Sequence, residues 1–277
     1  MPELPEVELV ARAIERALRG ARFETAKLIR PGLAPDTTPR EFARRLRGAK
    51  VCGVGRRGKH ILTSFENGET LITHLRMTGS FRLVGPRAAL PRHTHALFNL
   101  EDGRRLAFTD QRHFGLMKLA RTSELQEVRE LRSLAPEPFS EEFTDEYLAG
   151  VLARTRRALK DVLLDQTKVT GLGNIYAAEA LFVARAHPFR HASDFPRRSV
   201  ARLRAAIVSV LGEAVAHGAK LKVNLEDLDA SYYGGGDAGR WRVYDREGEP
   251  CEGCRATIAR VSHAGRSTYF CPRCQKR

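Results

Sequence analysis

Toward its C-terminal end the chain places Cys251 and Cys254, then 16 residues, then Cys271 and Cys274. Two CxxC pairs at that separation constrain the fold more than any other feature. Each pair suits a tight knuckle whose thiolates face one ion, and a tetrahedral four-cysteine site closes the loop between them. The intervening RATIARVSHAGRSTYF is long enough for a β-hairpin. Disulfides are the alternative, but no secretory signal pattern opens the chain, and a reducing compartment keeps thiols free. One structural Zn2+ held by Cys251, Cys254, Cys271 and Cys274 is therefore expected, in a cytoplasmic protein. The fifth cysteine, Cys52, reads as a small core residue.

Lysine and arginine outnumber aspartate and glutamate by 47 to 33, a net charge of +14. Such an excess points to a polyanionic partner, nucleic acid first. The basic residues are spread along folded-looking segments instead of forming a tail or an amphipathic anchor, and no apolar run is long enough for a membrane span. No membrane partner is expected.

At 277 residues the chain allows two or three modules. Residues 5–19 read as an amphipathic helix, with Pro5 suited to its first turn, Glu6 and Glu8 favourable to its dipole, and Gly20 as its stop. β-rich runs flank Asn67 and Gly68, and again Asp102 and Gly103, both strong hairpin signals. Further β-rich pieces at 23–29, 51–54 and 116–119 complete a sandwich or barrel with the helix packed on it. The prolines of SLAPEPFSEEF mark a linker. Beyond it, Thr144 suits the start of a helix through Leu152, Thr155 one through Leu164, Asn174 a third through Arg185, and Ser199 a fourth ending at Gly218. The glycines of DQTKVTGLGNIY, just before a helix start, can aim backbone N–H groups at an anion. LEDLDASYYGGGDAGRW reads as a mobile loop of the kind that closes over ligands. The fold class is thus α+β and multidomain, with boundaries at 1–132, 133–225, 226–245 and 246–277.

The opening MPELPEVE contains one further chemical possibility. Removal of Met1 ahead of proline leaves a secondary amine at Pro2, which can attack an electrophilic carbon and form an iminium. Only the neutral amine is nucleophilic, and α-amino groups titrate near about 7.7 to 8.0, so burial or a nearby cation must favour deprotonation. Glu3 beside it is placed for general acid–base work.

PELPEVE, RRGKHIL around Lys59, HLRMTG from His74, DQRHFG from Asp110, GLGNIYAAEAL from Gly171 and RSTYFCPRCQ occur together and in this order. With the paired CxxC spacing, they resemble the formamidopyrimidine-DNA glycosylase family, bacterial base-excision repair enzymes of the helix–two-turns–helix superfamily. The resemblance spans every module. It implies an N-terminal helix plus β-sandwich carrying the catalytic residues, a helix–two-turns–helix module, a lesion-covering loop at 226–245 and a zinc-bound β-hairpin. It also implies a bifunctional glycosylase/lyase that excises oxidised purines, such as 8-oxoguanine and formamidopyrimidines, from duplex DNA and eliminates both flanking phosphates. Carried onto this chain, Pro2 is the nucleophile, Glu3 the acid and proton shuttle, and Glu6 its support. Lys59 is a cation for a lesion-flanking phosphate and for the amine's pKa. A base must leave the stack to be reached, and Met77, Arg112 and Phe114 would fill the hole, Arg112 offering donors to the orphaned cytosine. His74 falls in a block that contacts DNA, Asn174 and Arg266 match positions that grip the strand near the lesion, with Arg266 near the hairpin tip, and Lys160 lies in a block that approaches the flipped base. The partner is double-stranded DNA with an oxidised base or abasic site, bound by a monomer that gathers on the bacterial nucleoid.

The chain departs from the family's pattern in three places. His113 stands where a second arginine is usual, Asp245 where VYGR has glycine, and HGAKLKVN replaces a glycine- and threonine-rich stretch. Two other functions compete: an endonuclease VIII-like glycosylase for oxidised pyrimidines, whose terminus more commonly has glycine in place of Leu4, and a non-catalytic zinc protein that binds damaged DNA.

Overall fold

In a computed structural model, the structure describes residues 1–220, 223–226 and 241–277. It divides into two compact units, one of residues 1–132 and 215–236, the other of residues 133–214 and 237–277.

The first unit runs α1 (Leu4–Leu18), β1 (Phe23–Leu28), α2 (Pro39–Leu46), β2 (Val51–Arg57), β3 (His60–Phe65), β4 (Glu69–His74), β5 (Gly79–Val84), β6 (Thr94–Leu100), β7 (Arg105–Asp110), β8 (Leu116–Arg121) and α3 (Arg129–Arg132). Its strands form two antiparallel four-stranded sheets, ordered β1-β6-β7-β5 and β2-β3-β4-β8. Phe23, Phe98 and Phe108 join Ile61, Leu71 and Met117 in one core, closed by the Val7, Val10, Ile14 and Leu18 face of α1. Burial of that face gives α1 most of its stability, since few isolated helices of its length persist in water. The hairpins at Asn67 and Gly68 and at Asp102 and Gly103 form as the turn residues dictate, both glycines having positive φ. A third tight turn, at Gly58 and Lys59, joins β2 to β3.

Cys52 does not lie in the core. It is exposed on the edge strand β2, where the register shifts between Val51 and Gly53. Its neighbour Val51 is buried in the core, and alternation along the strand turns the thiol the other way.

The second unit contains α4 (Asp145–Ala153), α5 (Leu159–Leu164), α6 (Asn174–Val183), α7 (Val200–Lys220, whose last residues count with the first unit) and the hairpin β9 (Ala259–His263) and β10 (Arg266–Phe270). Thr144 caps α4, accepting from Tyr147 N–H at 3.0 Å. Thr155 does not start α5: its hydroxyl accepts from Arg157 N–H at 3.2 Å in a local turn, and Ala158 pairs with His191, so the helix begins only at Leu159. Gly218 does not end α7 either. It lies within the helix, in the part that belongs to the first unit, and a Cβ there would collide with Leu9 Cδ1 of α1. The glycine permits a close approach. The glycine-rich loop expected before the hairpin lies largely outside the described residues.

Candidate functional site

Strand register gathers several segments at one end of the β2-β3-β4-β8 sheet. Arg57 pairs with His60, His60 with His74, and His74 with Leu116. The turn at Gly58 and Lys59, connection 75–78 and connection 111–115 all leave from this end. α1 is aligned with β2 by Glu15, which accepts from Val54 N–H at 2.6 Å, and by Glu8, which accepts from Arg56 Nε at 2.9 Å. Moving along α1 from Glu15 to Glu8 leads toward the same end, and Pro2 and Glu3 lie beyond.

Pro2 and Glu3 are both buried, whereas Met1 is half exposed. Glu3 is the N-cap of α1 in extended backbone, and Glu6 closes a capping box on it, accepting the Glu3 N–H at 2.8 Å. The box satisfies a helix-terminal donor and fixes the backbone next to Pro2. With Met1 attached, the Pro2 nitrogen is an amide. Lys59 is only 5% exposed, and Gly58 takes φ +58° to let the turn close. Arg56, which Glu8 holds, donates to Gly58 O at 2.9 Å. The helix carrying Glu3 is thereby tied to the turn carrying Lys59. Burial raises the Glu8 carboxyl, but the Arg56 hydrogen bond and charge, then Arg12, bring it below its usual value.

His74 packs edge-on against His60, ring centroids 4.7 Å apart, and its Nδ1 accepts from Arg76 N–H at 2.9 Å. Burial first, then the charges of His60, Arg76 and Lys59, pushes His74 down to about 2. Burial likewise pushes His60 down to about 4. A neutral His74 accepting at Nδ1 carries its proton on Nε2, a donor suited to a phosphate oxygen.

Met77, Arg112 and Phe114 come together in the 75–78 and 111–115 connections. Arg112 Nη1 lies 3.3 Å from Met77 Sδ, and its guanidinium sits 5.0 Å from the Phe114 ring centroid. Met77 is 39% and Phe114 51% exposed, so neither is a core residue. Two large apolar side chains are thus held in the open around a guanidinium.

Sequence reasoning overlooked what holds this cluster. Asp110, 1% exposed, accepts from the Thr78 hydroxyl, from Arg112 N–H at 3.2 Å and from Gly115 N–H at 2.6 Å, and so clamps both connections. An aspartate two residues before Arg112 carries the signal of an Asx turn. Gly79 and Gly115 both have to lack a Cβ, because one on either would stand 2.8 Å from Phe108 Cζ.

Within the second unit, Lys160 and Asn174 converge on one acceptor. Lys160 Nζ donates to Ser267 O at 3.1 Å and Thr268 Oγ1 at 2.8 Å, and Asn174 Nδ2 donates to Ser267 O at 3.0 Å. Asp161, next to Lys160, meets His263 Nε2 at 2.8 Å. These contacts fasten the β9–β10 hairpin to α5 and α6. Lys160 is 1% exposed and faces the hairpin. Arg266 is exposed beside the hairpin turn, where Ala264 and Gly265 both have positive φ. Glu179, also overlooked, is fully buried and accepts from the N–H groups of Arg242, Val243 and Tyr244 at 2.9, 2.9 and 3.0 Å. A lone carboxylate inside the apolar run IYAAEALF was its sequence signal.

The sulfurs of Cys251, Cys254, Cys271 and Cys274 all lie within 4.8 Å of one another, with Cys251–Cys274 at 3.9 Å and Cys254–Cys271 at 3.4 Å. Tetrahedral Zn–S bonds of about 2.3 Å put sulfurs about 3.8 Å apart, so the four thiols fit one zinc with no open position. Gln275 braces the site, accepting from Cys271 N–H and donating to Ala186 O, both at 2.9 Å.

Among the described residues no helix is long and apolar enough to cross a membrane. Residues 1–117 match the formamidopyrimidine-DNA glycosylase N-terminal domain, 134–224 its H2TH domain, and 248–277 the zinc finger found in FPG and IleRS. Formamidopyrimidine-DNA glycosylase of Rhodopseudomonas palustris (strain TIE-1) is 40% identical, with 100% of each chain covered. That of Caulobacter vibrioides (strain NA1000 / CB15N) is 39% identical, covering 99% of this chain and 100% of its own. The crystal structure of the Lactococcus lactis enzyme non-covalently bound to DNA containing an AP site superimposes with TM-score 0.87 at 31% identity, over 99% of this chain and 100% of that one. The Lactococcus lactis complex with Fapy-dG-containing DNA gives 0.88 at 31% identity and the same coverage. With all three domain models matched and full-length relatives at this identity, the chain belongs to the formamidopyrimidine-DNA glycosylase family.

Proposed function

We propose that the protein excises oxidised purines from duplex DNA and cleaves the strand at the resulting site, with Pro2, once Met1 is removed, as the nucleophile. The observation that carries this reading is the convergence, at one sheet end, of the buried Pro2–Glu3 terminus, Lys59, His74 and the exposed Met77–Arg112–Phe114 cluster. The imino nitrogen adds to C1′ as the glycosidic bond breaks and the base departs with that electron pair and a proton. The sugar ring opens to an iminium, with Glu3 carrying protons to and from the sugar. Loss of a C2′ proton then expels the 3′ phosphate, a second elimination expels the 5′ phosphate, and water releases the enzyme.

Lys59 and His74 bind the phosphates beside the lesion, and Lys59 disfavours the ammonium form of Pro2. Met77 and Phe114 occupy the space left by the everted nucleotide while Arg112 donates to the unpaired cytosine. Asn174 and Arg266 grip the strand, Lys160 acting by fixing the hairpin that presents Arg266. Zinc, when bound, supplies rigidity to the two cysteine knuckles.

Borohydride trapping tests the reading. Protein lacking Met1, incubated with an 8-oxoguanine duplex, should yield a covalent adduct that Glu3→Gln and Pro2→Gly diminish. Binding without adduct or strand cleavage would leave a damage-binding protein, and preferential trapping on oxidised pyrimidines across a lesion panel would leave the endonuclease VIII-like activity.

A further inference from the structure

His113, which stands where the family usually has arginine, makes a contact that the reaction described above does not use. Its Nδ1 lies 2.9 Å from His95 Nε2, and that same Nε2 lies 2.8 Å from Asp110 O. A carbonyl oxygen can only accept, so His95 must carry its proton on Nε2. A protonated ring nitrogen has no lone pair to offer, so His113 Nδ1 must also be an acceptor, sharing the same N–H. One assignment satisfies both contacts: His113 is neutral, with its proton on Nε2.

The backbone makes this contact consequential. His113 takes φ +60°, a region that costs a non-glycine residue energy unless its surroundings compensate. Its neighbours in sequence are Arg112 and Phe114. The other polar groups facing it are the Asp110 clamp, Arg30, whose Nη1 donates to His113 O at 3.2 Å, and His93, whose ring centroid is 6.1 Å away. Burial, opposed by the Asp110 carbonyl and reinforced by His113 and Arg30, holds His95 below its ordinary value. Protonation of His95 would leave its Nε2–H donor intact. A side chain at position 113 without an acceptor at this reach would remove the bond.

We propose that His113 is a positioning residue: as an acceptor from His95 it holds connection 111–115 with Arg112 and Phe114 presented. The inference rests on the proposal that Arg112 reads the unpaired base. It deepens that proposal by making opposite-base discrimination, and not the shared chemistry, dependent on the His95–His113 hydrogen bond.

The test has two arms. In the first, 15N-histidine NMR of the full chain at neutral pH reads the tautomers: His113 protonated on Nε2 is expected, and His113 protonated on Nδ1 overturns the proposal. In the second, single-turnover excision opposite cytosine is divided by that opposite adenine, so that effects on the common chemistry cancel. His113→Asn keeps an acceptor at the same reach and tolerates positive φ, so its ratio should stay near wild type. His113→Leu should lower the ratio about 3- to 10-fold. Full discrimination in His113→Leu, or a ratio in His113→Asn as low as that of His113→Leu, overturns the proposal. An Arg112→Ala ratio equal to wild type would instead remove the base-reading role of Arg112, and the NMR arm then decides the His95–His113 contact alone.

Discussion

Glu8 accepts from Arg56 Nε at 2.9 Å while the same guanidinium donates to Gly58 O, also at 2.9 Å. One arginine, with its side chain 8% exposed, therefore couples the first helix to the turn beneath Lys59. Arg56→Met should cost about 1–3 kcal/mol in urea unfolding, as loss of a largely buried charged hydrogen bond does. It should also slow borohydride adduct formation about 10-fold through displacement of Lys59 relative to Pro2. Wild-type trapping kinetics in this variant would show that the tether has no role in placing the site.

Acid should weaken the first unit before its carboxylates titrate. His60 and His74 are held neutral, at about 4 and about 2 against an ordinary 6.5. The unfolded chain therefore takes up protons that the folded chain refuses. Stability is fully present above about pH 6.5 and is lost as pH falls below it, by at most about 1.4 kcal/mol per pH unit per imidazole. Urea midpoints at several pH values measure this, and His60→Phe should flatten the slope below about pH 6.

Gly79 and Gly115 meet the same ring but differ in what else surrounds them. A Cβ at Gly115 is opposed chiefly by Phe108, whereas one at Gly79 also runs into the Leu75 carbonyl. Each alanine substitution should cost about 1–3 kcal/mol from overpacking. Phe108→Leu should relieve Gly115→Ala and leave Gly79→Ala mostly uncorrected, so the two double-mutant cycles should differ in coupling. Equal coupling would mean that the Leu75 backbone yields freely.

Removal of zinc should act through the hairpin. Chelation should release one metal per chain and expose the hairpin to proteolysis. Arg266→Ala should preserve the metal while reducing the slope of log affinity against log salt by about 1. An unchanged slope would exclude a phosphate contact from Arg266.

The parts legible in the sequence were those set by local chemistry. Thr144 caps α4 because a hydroxyl reaches a nearby N–H, and Gly68 and Gly103 turn hairpins because each takes a positive φ. The cysteine pairs meet because the chain between them forms a hairpin with Arg266 opposite His263. Legibility failed where a distant partner decides. Gly218 reads as a helix stop until Leu9 is beside it, and Thr155 reads as a cap until residues 191–193 arrive to pair with its segment. Within the site, Arg112 and Phe114 stand out as a motif, but Asp110 and His95 act on groups that only folding brings near.

The meeting of Lys160 and Asn174 on Ser267 O has a further consequence for substitution in this chain. The shared acceptor is main chain, so every amino acid at position 267 supplies it equally. Alanine scanning would pass over position 267 without disturbing the junction, and drift there would leave it intact. An ester in place of the peptide bond following Ser267 would weaken that carbonyl, giving a direct way to loosen the hairpin without changing a single side chain.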